Sequence, residues 1–332
     1  MDPALLIDLA TAGVGGRVLE ASDEFFAPKE RLLRVEGPES HPGRYTDRGR
    51  WVDGWVTRRR REPGHEWALV RLGYPGIVRR VVLDTTHIVH DAPAGASVEA
   101  ASFDGDPHIV DLVRSRGRWS DLVPRTEVHP DAVSEFDVDR AEPVTHVRLV
   151  VYPDGGVARL RCLGEPVPPA GLLDGERELD LAAVAHGARV VASSAPRGNP
   201  NVMLRRSDVR EVGDVWETPR RRGAGNDYAV VRLAGRGRIT GVTIDTSTIT
   251  GNLPAAVEVS TVDAPDATEA DLASAVWRPL LERTEPDAGR VHTFDDLAGT
   301  GPATHVRLDV HPDGAVARFR VHGVSDEPWH EW

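Results

Sequence analysis

The 332-residue chain reads as an all-β protein made of two tandem jelly-roll β-sandwich domains related by internal duplication. Two observations predict this: a block of sequence is written twice, and its segments alternate with a period of two rather than 3.6. DGWVTRRRREPGHEWALVRLGYPGIVRRVVLDTTHI, ending at Ile88, is repeated as DVWETPRRRGAGNDYAVVRLAGRGRITGVTIDTSTI, from Asp214 to Ile249. Trp55 aligns with Trp216, Arg71 with Arg232 and Asp84 with Asp245, each 161 residues apart. THVRLVVYPDGGVARLRCLG (Thr145–Gly164) then matches THVRLDVHPDGAVARFRVHG (Thr304–Gly323) with 14 of 20 columns identical. Trp119 and Trp277, and Phe136 and Phe294, fall between at nearly the same spacing. A period this long exceeds any solenoid unit and marks two whole domains. The expected plan is repeat one over 1–165, a proline-rich linker over 166–174 and repeat two over 175–332. Glu165-Pro-Val-Pro-Pro169 resists both helix and central strand.

Taken along the chain, Trp55 and Trp216 are expected in cores, since tryptophan buries a large area and its indole N–H usually finds an acceptor. Ala68, Val70 and Leu72 alternate as one strand, a Tyr74-Pro75-Gly76 turn follows, and Ile77–Leu83 forms the next strand. Ile109–Arg114 is a short helical piece. In Thr145–Tyr152, Val147, Leu149 and Val151 share one face, while His146, Arg148 and Tyr152 share the other. Pro153-Asp154-Gly155-Gly156 is a turn signal. Val157–Cys162 resumes the alternation with Ala158, Leu160 and Cys162 inward and Arg159 and Arg161 outward. Cys162 reads as a small buried hydrophobe, because Val321 takes its place in repeat two.

Composition excludes several classes. The 40 basic and 52 acidic side chains give a net charge of −12, which disfavours nucleic-acid or anionic-membrane binding. No apolar run approaches the roughly 20 residues that span a bilayer, and Met1–Leu9 lacks the cationic flank of a signal peptide. One cysteine excludes an internal disulfide framework and a multi-cysteine zinc site. A cytoplasmic location is the expectation. Lys29 is the only lysine, so arginine is the default cation here and its abundance says little by itself.

The motifs DGWVTRRRREPGHEWALVRLG, DTTH, ASVEA and THVRL…PDGGVAR, with SDEFFAPKERLL at Ser22–Leu33, resemble the allantoicase family, and the resemblance spans both repeats. It implies jelly rolls of the galactose-binding-like type, assembly into homo-oligomers, and hydrolysis of allantoate to ureidoglycolate and urea in purine breakdown. This chain departs from the family pattern at Val56, Pro219 and His90-Asp91. It also departs at Ser194-Ala195-Pro196-Arg197, which stands where repeat one has Ser22-Asp23-Glu24-Phe25.

Such a reaction needs a carboxylate clamp, hydrogen bonds that read amides, a proton donor to the leaving urea and a base for water. Arginine suits the clamp through its planar fork, and His, Asp or Glu suits proton transfer. The candidate proton carriers are His87, Glu66 and His65. The candidate substrate-binding residues are Arg58, Arg59, Arg60, Asp23, Glu24, His146 and Arg148, with Arg61 and Asp154 beside them. Each has a plainer reading. The run Arg58–Arg61 reads equally as a solvated edge that blocks edge pairing. His65 and Glu66 read as a local turn contact, and His87, which faces Thr248 in repeat two, as a packed or solvated histidine. His146 and Arg148 recur as His305 and Arg307, which favours a structural role first.

No His-x-x-x-His, cysteine pair or dense Asp/His cluster is present, so no cofactor is expected, although scattered His and Asp could converge on a divalent ion. No glycine-rich phosphate loop follows a strand and opens a helix. The site is expected in repeat one or between the repeats, because repeat one keeps more polar motif positions. Two alternatives stay open: a non-catalytic ureide- or carbohydrate-binding sandwich, and a hydrolase of another ureide. Turnover separates binder from enzyme.

Overall fold

The computed structural model describes residues 5–169, 171–174, 177–194, 197–205, 215–299 and 301–328. Asp214, Ala195 and Pro196, the first four residues and the boundary residue 175 lie outside them. Two compact units emerge, one of Ile7–Glu165 and one of Leu5–Leu6 with the described residues from Pro166 onward. The last strand of the first unit runs through Glu165 and Pro166, so the proline-rich stretch begins as strand.

The first unit contains β1 (Ile7–Asp8), β2 (Arg17–Ala21), β3 (Tyr45–Thr46), β4 (Gly49–Arg50), β5 (Trp55–Val56) and β6 (Glu66–Asp84). It continues with β7 (Gly95–Ala101), helix α1 (Ile109–Arg114), β8 (Ser120–Glu127), β9 (Val133–Asp137), β10 (Val144–Tyr152), β11 (Gly156–Val157) and β12 (Arg159–Pro166). The second unit repeats the plan from β13 (Glu178–Asp180) and β14 (Arg189–Ser193) through β15 (Trp216–Glu217), β16 (Asp227–Asp245) and β17 (Ala256–Val262). Then come α2 (Glu269–Ser274), β18 (Arg278–Thr284), β19 (Val291–Phe294), β20 (Pro302–His311), β21 (Ala315–Val316) and β22 (Arg318–Pro328).

The architecture is two all-β jelly rolls. In each, strands follow the order β1-β12-β6-β10-β7-β8, or β13-β22-β16-β20-β17-β18; the pairings β1–β12, β6–β10, β10–β7 and β7–β8 and all five of the second path are antiparallel. The long strand β6 is shared between two layers. Its first part lies between β2 and β10, and its last part pairs with β9 and β12. The expected turn at Tyr74-Pro75-Gly76 is therefore a bend inside one continuous strand, which changes partners there. Glycine is required at the bend because neighbouring backbone crosses it: a Cβ on Gly73 would lie 2.3 Å from Val14 O, and one on Gly76 2.5 Å from Glu165 O. Gly237 repeats the arrangement against Val324 O.

Alternation sets the core. Ala68, Val70 and Leu72 of β6, Val147, Leu149 and Val151 of β10, and Leu160 and Cys162 of β12 are all buried. Trp55 and Trp216 are fully buried, as their aromatic area demands. The opposite face of the β6/β10/β7 layer is only partly solvated. Helix α1 lays Leu112 over Leu69, Ala101 and Phe103, with Trp67 and Trp119 packed alongside. Leu272 of α2 covers Val230 with Tyr228 and Trp277 in the second unit.

One expectation fails on the outer face of β12. Arg161 is partly exposed, but Arg159 is 1% exposed, because the loop after the segment Lys29–Leu33 folds across it. Its guanidinium meets Asp53 Oδ2 at 2.6 Å and donates to the Glu36, Gly37 and Asp53 carbonyls. Burial works to raise the Asp53 carboxyl, but Arg159, the Glu39 amide and Arg34 outweigh it and hold the pKa below the usual carboxylate value. Sequence alternation identified the face correctly, but no local pattern announces a loop that covers it.

His146 and His305 occupy matching buried positions, each with Nδ1 bonded to the preceding threonine hydroxyl. Burial, reinforced by Arg71, holds His146 at a pKa of about 4, and burial with Arg232 and Arg189 does the same for His305. Both are neutral in the folded protein near pH 7.

Two stability predictions follow from these buried groups. Unfolded histidine takes a proton below about pH 6.5, while these two resist until about pH 4. Unfolding free energy should therefore fall as pH drops through that window, by up to about 1.4 kcal/mol per pH unit for each histidine. A His146→Gln/His305→Gln variant should show a shallower fall in urea midpoint between pH 7 and pH 5, and an equal fall would refute the assignment. Asp53→Ala strands the buried Arg159 charge and should lower stability by about 3–5 kcal/mol in urea unfolding, against a smaller loss of about 1 kcal/mol for Asp23→Asn, whose partner Arg58 is exposed and whose side-chain oxygen still accepts the Arg58 amide.

Candidate active site

At one end of the first unit, four segments are tied together by polar side chains: Ser22–Phe26 after β2, Thr57–Arg61 after β5, the start of β6, and the turn between β10 and β11. Trp55 starts the assembly by donating its indole N–H to the Asp23 carbonyl at 2.8 Å. Asp23 accepts the Arg58 amide at 2.6 Å and pairs with the Arg58 guanidinium at 2.7 Å. The Arg60 amide donates to Asp154 at 2.8 Å, and its guanidinium pairs with Glu66 at 2.6 Å. Ser22 closes the knot on Glu66 Oε2 at 2.5 Å.

The second unit repeats most of this arrangement. Ser194 and Arg221 hold Asp227, and the Arg221 amide donates to Asp313. A motif kept in both units while its surroundings diverge is a scaffold. Glu66 is buried with both oxygens engaged, so it fixes Arg60 and Ser22 and has no oxygen left for a proton in flight.

Next to this scaffold, on the outer face of the β6/β10/β7 layer, lies a cavity of about 430 Å³ lined by His65, Trp67, Leu69, Glu99, Leu112, Val113, Arg148, Val150 and Tyr152. Its size and its mixture of apolar walls and few polar groups suit a small polar molecule. Strand register explains the lining. Leu69, Arg148 and Glu99 stand in one cross-strand row, and Trp67, Val150 and Ser97 in the next. Arg148 pairs with Glu99 Oε2 through Nε at 2.6 Å and Nη2 at 2.5 Å, and its guanidinium lies 4.8 Å from the Trp119 ring. Tyr152 donates to or accepts from Ser97 at 3.1 Å and meets His65 edge-on at 5.5 Å. The Arg125 guanidinium lies over the Tyr152 ring at 4.2 Å, and Arg125 has no ion pair among the described residues.

The expected residues thus separate into groups. His65 and Arg148 line the cavity. Asp23, Arg58, Arg60 and Glu66 form the adjoining scaffold, and Arg59 and Arg61 are exposed in the same loop. Glu24 turns away to Lys29 at 3.2 Å. His146 shares a strand face with Arg148 but is buried against Phe103, away from the cavity lining, as its recurrence in both repeats suggested. His87 belongs elsewhere: it is exposed at φ 67°, with its amide on Asp131, and borders a separate hollow of about 30 Å³ with Trp51, Asp53 and Asp91. The two cavities share no lining residue. Among the described residues, no three His, Cys, Asp or Glu side chains are placed to hold a metal ion.

Sequence reasoning missed Trp67, Glu99 and Arg125. Glu99 carried a usable signal, since extending the alternation of Thr145–Tyr152 to the neighbouring strand puts an acid beside Arg148. The pairing of those two strands, however, is not written in either one.

A profile of the allantoicase repeat matches the chain twice, over residues 7–167 and 179–326. The chain is 42% identical over 321 residues to a probable allantoicase 2 of Burkholderia pseudomallei, covering 96% of this chain and 94% of that one. It is equally 42% identical, over 320 residues, to a probable allantoicase of Nocardia farcinica, covering 96% and 94%. The crystal structure of an allantoicase from Saccharomyces cerevisiae superposes with a TM-score of 0.80 at 29% identity, covering 96% of this chain and 92% of that one. With both repeats matched and the relatives aligned along nearly their whole length, the chain belongs to the allantoicase family.

Proposed function

We propose that the protein hydrolyses allantoate to ureidoglycolate and urea, and that it does so in the cavity on the outer face of the first unit. Family membership supports the reaction. The observation that carries the location is the convergence of Arg148, Glu99, His65 and Tyr152 on one cavity of about 430 Å³.

In the reaction, water forms a C–O bond at the central carbon of allantoate while the C–N bond to one ureido group breaks. The water proton ends on the departing nitrogen, so a base and an acid must act in sequence or through one group. His65, exposed at the cavity edge, is the candidate carrier, at an expected benefit of roughly 10²–10⁴-fold. Arg148 in the lining and Arg125, which lies over the ring of the lining residue Tyr152, contribute two positive charges and Glu99 one negative, which leaves the local positive excess that a single substrate carboxylate requires. This local field works against the protein's net charge of −12. Leu69, Leu112, Val113 and Val150 form an apolar wall that strengthens these interactions by excluding water. The Arg58–Arg60 scaffold holds the cavity edge through Asp23, Glu66 and Asp154. The same resemblance implies a homo-oligomer, which sedimentation of the purified protein tests.

Purified protein treated with chelator should release urea from allantoate. Release without added metal assigns the proton transfers to side chains, whereas release only after adding a divalent ion demands a His/Asp ligand set. No urea under either condition overturns the reading. Arg148→Lys keeps the charge but loses the planar fork and should lower kcat/KM about 10- to 100-fold. His65→Asn should lower kcat about 10²-fold or more. Unchanged turnover in both variants places the site elsewhere.

A further inference from the structure

The two units carry the same cavity-lining strands with their acids exchanged. Opposite Arg148 in the first unit stands Glu99, and opposite Arg307 in the second stands Ser260. Two residues further along the arginine's own strand, Val150 is replaced by Asp309. Arg307 turns back onto Asp309, with Nε at 3.1 and 3.0 Å from its two oxygens and Nη2 at 2.7 Å from Oδ1. Asn226, in the position of His65, adds a bond to Oδ1 at 2.7 Å. The second unit's other acid on this face, Glu258, faces His311 at 3.5 Å. In the first unit only Oε2 of Glu99 is engaged; among the described residues no donor reaches Oε1, and nothing accepts from Arg148 Nη1. The Glu99–Arg148 pair therefore presents an open acceptor beside an open donor on a cavity wall, whereas both oxygens of Asp309 are engaged.

We propose that Glu99 is the substrate-binding residue that accepts ureido N–H groups, and that only the first unit binds a ureide, at one per chain. The proposal rests on the reading of the first unit's cavity as the allantoate site. A ureido group carries two N–H groups on one edge, which an ionised carboxylate accepts because it has lone pairs and no proton to offer. Arg148 neutralises Glu99, so the acid does not repel the substrate carboxylate, and its remaining N–H edge can meet that carboxylate or a ureido oxygen. Serine at the same position is neutral and supplies a weaker acceptor. Glu99 thereby selects ureides over other small carboxylates that fit the same cavity, since a site built to receive N–H groups rejects ligands that lack them.

The test is calorimetric titration with ureidoacetate, which has one carboxylate and one ureido group, and with 4-oxopentanoate, a carboxylate of similar size without N–H groups. Urea release from allantoate is measured alongside. The wild type should bind one ureidoacetate per chain and prefer it to 4-oxopentanoate. Glu99→Ser, which installs the second unit's residue, should weaken ureidoacetate about 10- to 100-fold while leaving 4-oxopentanoate as tight or tighter. Glu99→Gln, equal in shape, should weaken ureidoacetate by a smaller factor at an unchanged thermal midpoint, which separates recognition from folding. Equal losses for both ligands, no loss for ureidoacetate, or two ureidoacetates per wild-type chain would overturn the proposal. A wild type that releases urea normally while the variants bind as it does overturns the role of Glu99 alone. A wild type that releases no urea overturns the reading of the cavity and the proposal together.

Discussion

Antiparallel hydrogen bonding along both edges of the 19-residue strand β6 is the constraint on which the first unit depends. Because that strand is paired on both sides along much of its length, its register with β10, and through β10 with β7, decides every side chain on the outer face. A slip of one residue would send Trp67 and Leu69 into the core and bring Ala68 and Val70 out. The bend at Gly73–Gly76 lets the same strand serve both layers, and the close passage of Val14 and Glu165 carbonyls makes glycine obligatory there. Core, cavity floor and the Arg148–Glu99 row all follow from one set of pairings.

Duplication turns the protein into its own control. Features kept in both units, such as the buried histidines beside threonine and the Ser–acid–Arg–Asp knot, are what this jelly roll needs in order to stand. Features kept in one unit are free of that duty. His65, Glu99, Val150 and Tyr152 become Asn226, Ser260, Asp309 and His311, and all four changes fall on the lining of the same face. These four changes alter the side-chain chemistry of one face above a support that both units keep, as function placed on a shared fold requires.

Placement altered the meaning of several residues that the sequence had singled out. Glu66 sits one residue from His65 and so points to the opposite side of the strand, into the knot with Ser22 and Arg60. The four adjacent arginines lie in a loop, not on a strand, and they disperse to Asp23, to Glu66 and to solvent. His87 comes from the crossover between layers and borders a different hollow. Sequence proximity brought these groups together on paper, and chain direction separated them.

The amino-acid sequence by itself determined the all-β class, the two copies, the inward faces of the strands, the buried tryptophans and cysteine, and the family. Each is a local periodicity or a long ordered match, and neither needs knowledge of which strands are neighbours. Tertiary structure alone decided that Arg159 is buried under a loop, that Glu66 is a support, that Glu99 joins Arg148 at the cavity and that Arg125 stacks on its neighbour Tyr152. Those facts depend on pairing between strands about 50 residues apart and on a loop crossing a finished sheet. Alternation names the face on which a side chain lies; only the fold says what it faces.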